Sequence, residues 1–279
     1  MQVQERVHVF WVRKNRSPIQ RLSRNIVREM CRYLKIDCFL PFYKEGHFGL
    51  VSVFSKTCAR LQGTEFPSGA MLCYLSRRKV MRLGREKLTL ILSPKKLVQV
   101  ADMAETRYFP GVIRYGYSVY AFGGFKAAAS SEKYCLKTDQ WAGLPLMAAA
   151  KSAFTPVLHS GLIYLPEVNE GSCLFEVFNT AAQQFSSIAP SLPFTDFASI
   201  AFIYREELVI LDDMGRRAKL PLLPQSEFRN DSVELREVEC CAQSGPVVVG
   251  RAVYFVQYSY GELCKFSPDR DVFKITLLN

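Results

Sequence analysis

One spacing constrains this chain more than any other. An aromatic is followed seven positions later by a second large residue, four times over: Tyr74 and Met81, Tyr134 and Trp141, Phe178 and Phe185, Phe266 and Phe273. Phe178 follows Tyr134 by 44 residues, and Phe266 follows Phe178 by twice that interval. Each occurrence sits in the same context: apolar strand, turn, apolar strand, polar loop, aromatic strand, turn, final strand. A hairpin with a short polar turn, such as Lys137-Thr-Asp-Gln140 or Ser267-Pro-Asp-Arg270, sets positions seven apart opposite each other. Large apolar pairs across the strands then hold such a hairpin together.

A repeat of this length built from short β segments predicts a propeller or a related array. The copy over 108–147 is the most complete. It carries Val119-Tyr-Ala-Phe-Gly-Gly124, then Tyr134, then Trp141. Diglycine after an apolar strand, Tyr, six residues and Trp resembles the kelch repeat. Elsewhere the diglycine positions hold Leu165-Pro166 or Val256-Gln257, and Trp is replaced by Phe or Met. The resemblance implies an all-β, kelch-like β-propeller whose ring is closed by strands from both chain ends. Val7–Val12 or Phe48–Phe54 are the candidates for the N-terminal one. Leu90 and Leu97 are also seven apart and read as a compressed blade, and 199–211 reads as two strands of a degenerate one. The expected total is six blades, some degenerate, over residues 48–279. Gly123-Gly124 suits a bulge or a close backbone approach.

Residues 1–47 are expected to form a separate N-terminal strand and helix. Ser17 caps, Pro18 suits the first helical position and Gln20 closes a capping box. Through about Lys35, the residues Ile19, Leu22, Ile26, Met30, Tyr33 and Leu34 fall on one face, with Arg21, Arg24, Arg28, Arg32 and Lys35 opposite. The apolar face is expected to pack on the propeller and the basic stripe to be solvated. A partner groove or an anionic surface are the functional alternatives. One helix here resembles an F-box, without its Leu-Pro start, which implies a ubiquitin-ligase adaptor as an alternative function.

The chain has 279 residues and a formal charge of +10, unevenly placed. Residues 1–107 hold 21 Lys/Arg and 8 Asp/Glu, a net of +13; residues 108–279 hold 15 and 18, a net of −3. No apolar run approaches the ~20 residues that cross a bilayer, and the first residues lack a signal-peptide core. The nine cysteines are odd in number, include no C-x-x-C, and mostly fall in strand patterns (Cys73, Cys135, Cys173, Cys264). Reduced thiols and a cytoplasmic location are expected.

Catalytic chemistry finds no motif. Kelch-type copper oxidases need Tyr and His ligands, and the three histidines are His8, His47 and His159; His159 reads as a strand or turn histidine. Ser267-Pro-Asp-Arg-Asp-Val-Phe273 resembles the Asp-box of sialidases but lacks its Gly and occurs once. Phe122-Gly-Gly-Phe-Lys126 lacks a phosphate-loop frame. No nucleophile motif is recognisable. The expectation is a non-enzymatic scaffold without metal or cofactor that binds a protein partner through its loops. Tyr258 and Tyr260 are the candidate hot spots, with Lys126, Glu167, Asn169 and Arg229 around them. A propeller enzyme with unrecognised chemistry is one alternative. Nucleic-acid or membrane binding through the basic N-terminal third is another, with no sequence-specific nucleic acid expected.

Overall fold

The computed structural model describes residues 39–44, 47–53, 58–61, 68–76, 79–84, 87, 89–93, 95–166, 175–188, 198–212, 217–222, 229–230, 244–256, 262–269 and 272–276. The fold is an all-β propeller, with no helix among these residues. The helix expected over Ser17–Lys35 and the strand expected over Val7–Val12 lie outside them.

Five sheets have four strands each, antiparallel and in chain order. The first blade is β4 (Met71–Ser76), β5 (Lys79–Leu83), β6 (Leu90–Leu92) and β7 (Leu97–Gln99). The second is β8 (Gly111–Tyr115), β9 (Ser118–Phe122), β10 (Ser131–Cys135) and β11 (Gln140–Gly143). The third is β12 (Val157–His159), β13 (Leu162–Leu165), β14 (Phe175–Asn179) and β15 (Gln184–Ile188). The fourth is β16 (Ala198–Tyr204), β17 (Glu207–Asp212), β18 (Arg217–Pro221) and β19 (Arg229–Asn230). The fifth is β20 (Val247–Val249), β21 (Ala252–Val256), β22 (Leu263–Ser267) and β23 (Val272–Thr276). A three-stranded sheet, β1 (Phe39–Lys44), β2 (His47–Ser52) and β3 (Cys58–Leu61), completes the set.

This corrects the expected count of six. Tyr74–Met81 and Leu90–Leu97 do not belong to two blades. They are the two hairpins of one sheet, and Tyr74 pairs with Val80 while Met81 pairs with Cys73. The Tyr74–Met81 spacing falls on the inner hairpin, closed by the Ser76–Lys79 pair with a register shift, so it only mimics the outer-hairpin signal. The other three spacings are direct cross-strand pairs on outer hairpins: Tyr134 with Trp141, Phe178 with Phe185, Phe266 with Phe273. The expected Phe48–Phe54 segment overlaps β2 (His47–Ser52), the middle strand of the three-stranded sheet, and β1 lies N-terminal to residue 48, where the propeller was expected to begin.

The strands are apolar on both faces because each blade is packed between two others. β9 shows the division: Val119 and Ala121 face the first blade, among Met71, Leu83 and Met103, while Tyr120 and Phe122 face the third, among Ile163, Leu165 and Phe178. Equivalent seams join the third blade to the fourth and the fourth to the fifth. The three-stranded sheet packs on the fifth blade through Leu40, Phe42, Val51 and Val53, against Val256 and Leu263. Its other side carries Phe48, Leu50 and Leu61 onto Leu72, Val80 and Leu92 of the first blade. The first strands β4, β8, β12 and β16 are successive neighbours, with β1 beside β4, so the first strands form the inner ring.

Tight turns permit this economy. His159 pairs with Leu162 across Ser160-Gly161, and Tyr204 with Glu207 across Arg205-Glu206. All four turn residues have positive φ, between 50° and 81°, the backbone of a type I′ hairpin.

Candidate protein-docking face

Antiparallel order sorts the connections into two ends. Turns joining first to second and third to fourth strands emerge at one end. Loops joining second to third strands, and linkers to the next blade, emerge at the other. At this second end three segments are laced together: 107–109 before β8, the loop 123–130 after β9, and the linker 144–153 after β11.

The diglycine makes the lacing possible. Gly123 has φ +59°, and a Cβ there would lie 2.1 Å from the Lys151 carbonyl oxygen. Gly124, with φ +97°, would meet the Tyr108 carbonyl oxygen at 2.8 Å. With no Cβ, the Gly124 N–H donates to the Lys151 carbonyl at 2.7 Å and the Gly123 N–H to that of Ser130 at 2.9 Å. Lys151 and Met147 N–H groups donate to the carbonyls of Ala128 and Ala129, both at 2.8 Å. Tyr108 and Phe125 exchange backbone hydrogen bonds of 3.3 and 2.8 Å.

Two buried ion pairs stand under this end. Arg107 donates from Nη2 to Glu132 Oε1 at 2.8 Å and from Nη1 to the carbonyls of Gly123 and Ser130, each at 2.8 Å. Glu132 also accepts the N–H groups of Ala104 at 2.7 Å and Glu105 at 3.2 Å. Forty-four residues on, Lys151 Nζ lies 3.5 Å from Glu176, which accepts the Ala148 N–H at 2.7 Å. All four charged side chains are buried. Each carboxylate therefore holds one linker against its blade, and each cation is spent internally.

Two large apolar residues stay exposed at this end. Phe125 is 53 % and Leu146 72 % exposed, two of the four large hydrophobics at the surface among the described residues. Phe125 stands edge-on to Phe109, at 6.2 Å and 90° between ring planes. Leu146 is fixed by its flanks: the Ser131 hydroxyl donates to the Pro145 carbonyl at 2.9 Å, and Met147 is buried. The same two segments carry half-buried Ala128 and Ala129 and exposed Ala148 and Ala150. Lys126 is exposed, with φ 74°, and its Nζ sits 5.2 Å over the Tyr108 ring.

Of the residues expected to bind a partner, Lys126 is therefore on this surface. Arg229 is not in a loop: it opens the outermost strand β19, where it pairs with Lys219. An outer strand with one open edge accepts the polar Arg229-Asn230 that reads as a turn in sequence. Glu167, Asn169, Tyr258 and Tyr260 lie outside the described residues. Phe125 and Leu146 carry no motif; Met103, Arg107 and Glu132, by contrast, recur 44 residues on as Met147, Lys151 and Glu176.

Elsewhere, His159 ends β12 with Nε2 3.9 Å from Glu206, as a strand histidine should. No group of three or more His, Cys, Asp and Glu gathers to hold a metal among the described residues. Cys58, Cys73, Cys135 and Cys264 are free thiols. Among the described residues, no helix is long and apolar enough to cross a membrane. Neither a protein-family model nor a curated protein sequence matches the chain. The fold itself defines the class, a β-propeller.

Proposed function

We propose that the chain is a non-enzymatic, kelch-like interaction scaffold that docks a protein partner on the end bearing Phe125 and Leu146. The three-stranded sheet packs on both the first and the fifth blade and so closes the five-bladed ring. The observation that carries the function is the exposure of Phe125 and Leu146 on segments that are otherwise fully laced. Large exposed apolar residues are what a protein interface buries at its centre. Their loops are ordered before binding, so little entropy is lost on docking. Internal neutralisation of Arg107 and Lys151 leaves the exposed Lys126 and Glu105 as charged groups of the rim.

The test is in-cell cross-linking with quantitative mass spectrometry, comparing wild type with Phe125→Asp/Leu146→Asp and with Tyr117→Ala at the opposite end. Partners that bind purified wild type saturably should be lost with the double variant and kept with Tyr117→Ala. Retention of every saturable partner by the double variant would refute this face as the docking site.

A further inference from the structure

Charge is shared unevenly among the blades. The first blade, residues 71–99, holds eight Lys/Arg and one Asp/Glu, a net of +7. The third, 157–188, holds no Lys or Arg and three Glu, a net of −3. Three exposed cations of the first blade stand at one end of its sheet. Lys79 opens β5, paired with Ser76, and Lys95 and Lys96 lie between the paired Leu92 and Leu97. Lys79, Lys95 and Lys96 are exposed, and neither turn contains a carboxylate. The second blade brings Tyr117 and Lys137 to the same end, in its β8–β9 and β10–β11 turns. Tyr117 is 61 % exposed, with Lys137 Nζ 4.1 Å from its ring centroid. The nearby carboxylates are engaged: Asp139 accepts the Ala101 N–H at 2.9 Å and the Tyr134 hydroxyl at 2.7 Å, and Asp102 accepts from Gln99 at 3.4 Å.

We propose that this end of the first two blades binds single-stranded nucleic acid through its phosphates and one stacked base, without reading sequence. Lys79, Lys95 and Lys96 at one end of one sheet, with Lys137 at the same end of the next blade, repel one another, and a phosphate chain relieves that repulsion while releasing its own counterions. An exposed tyrosine with a lysine on one flank adds the stacking surface that single strands use and that a charge patch alone lacks. An acidic peptide would answer the charge but leave the ring unused. The surface lies at the opposite end from Phe125 and Leu146, so it is independent of protein docking there.

Fluorescence anisotropy with a fluorescein-labelled 20-mer of deoxythymidine and the full chain tests this between 50 and 200 mM NaCl. Four neutralised phosphates give a slope of log affinity against log salt of about −2.8, hence a loss of about 50-fold over that range. Lys95→Glu/Lys96→Glu should weaken binding at least about tenfold at 50 mM and bring the slope to about −1.4. Tyr117→Ala should weaken binding about tenfold and leave the slope unchanged. Arg251→Glu/Lys274→Glu, charge-matched in the fifth blade, should change neither. Absence of binding at 50 mM, or indifference to Lys95→Glu/Lys96→Glu, would overturn the proposal. So would poly-glutamate or phosphatidylserine vesicles binding as tightly with no effect of Tyr117→Ala, which would reassign the surface to acidic protein or to membrane.

Discussion

Glu132→Gln keeps the shape of a side chain that is 3 % exposed and removes its charge. In the native protein the carboxylate accepts four hydrogen bonds, from the Ala104 and Glu105 N–H groups and from Arg107 Nε and Nη2, at 2.7, 3.2, 3.3 and 2.8 Å. A carboxamide offers one oxygen and places an NH2 donor against donors. The buried Arg107 guanidinium is then left in the interior without its counter-charge. Breaking a buried pair from one side costs about 3–5 kcal/mol. The carbonyls of Gly123 and Ser130 still hold the guanidinium, so the expected loss is near ~3 kcal/mol. At roughly 2–4 °C per kcal/mol for a domain of this size, Tm falls by about 6–12 °C. Urea and thermal unfolding at pH 7 measure the loss. Hydrogen exchange at Gly123–Ser130 shows whether the loop bearing Phe125 loosens with it. Glu176→Gln is the internal comparison and should cost less, because the 3.5 Å contact from a flexible lysine is the weaker one. A Glu132→Gln loss below about 1 kcal/mol, with loop protection unchanged, would refute the view that this pair organises the docking face.

Three further outcomes are expected. Gly123→Ala should cost at least about 2 kcal/mol in urea unfolding, since its Cβ meets the Lys151 backbone; Gly116→Ala, at φ +60° with nothing within 4 Å, should cost only the left-handed penalty of about 1 kcal/mol. Among the four described cysteines, iodoacetamide at pH 8 should modify Cys135 first, because hydrogen bonds from Thr138 and Lys137 hold its thiol below the usual range. Cys58 should follow, while Cys73 and Cys264, both pushed up to about 12 chiefly by burial, should stay unmodified until unfolding; early labelling of Cys73 would contradict its place in the core. Asp139 is held below the usual aspartate range by the Ala101 N–H and the Tyr134 hydroxyl. Its contribution is therefore full above about pH 4 and disappears as pH falls through the lowered native value. Asp139→Asn should lower stability at pH 7 and remove that part of the acid dependence; parallel pH–stability curves for the two proteins would sink the assignment.

The blade-forming hairpins were legible in sequence where two large residues must face each other across a short turn. Tyr134–Trp141, Phe178–Phe185 and Phe266–Phe273 are those pairs. Tyr74–Met81 misled because a two-residue turn on the inner hairpin gives nearly the same interval without the same partners. Gly123-Gly124 was readable as a close approach, for the absence of a side chain has few other uses. The buried pairs were overlooked although their signal was present. Arg107 and Glu132 return as Lys151 and Glu176 at the same 44-residue interval, hidden because charge in a sequence reads as surface. Phe125 and Leu146 could not have been found that way, since exposure of an apolar residue depends on what fails to cover it. Arg229 was placed in a loop on composition alone, which does not separate a turn from a polar outer strand.

The chain-order sheets have a mechanical consequence. Among the described residues no blade borrows a strand from a distant part of the chain, so every sheet is a contiguous stretch of sequence. Among the described residues, the seam between the three-stranded sheet and the fifth blade is therefore closed by side chains, Leu40, Phe42, Val51 and Val53 lying against Val256 and Leu263. It behaves as a clasp rather than a weld. Tension applied between Phe39 and Thr276 loads this contact, with no interstrand ladder across it among the described residues to share the force, and the ring opens there while each blade keeps its own hydrogen bonds.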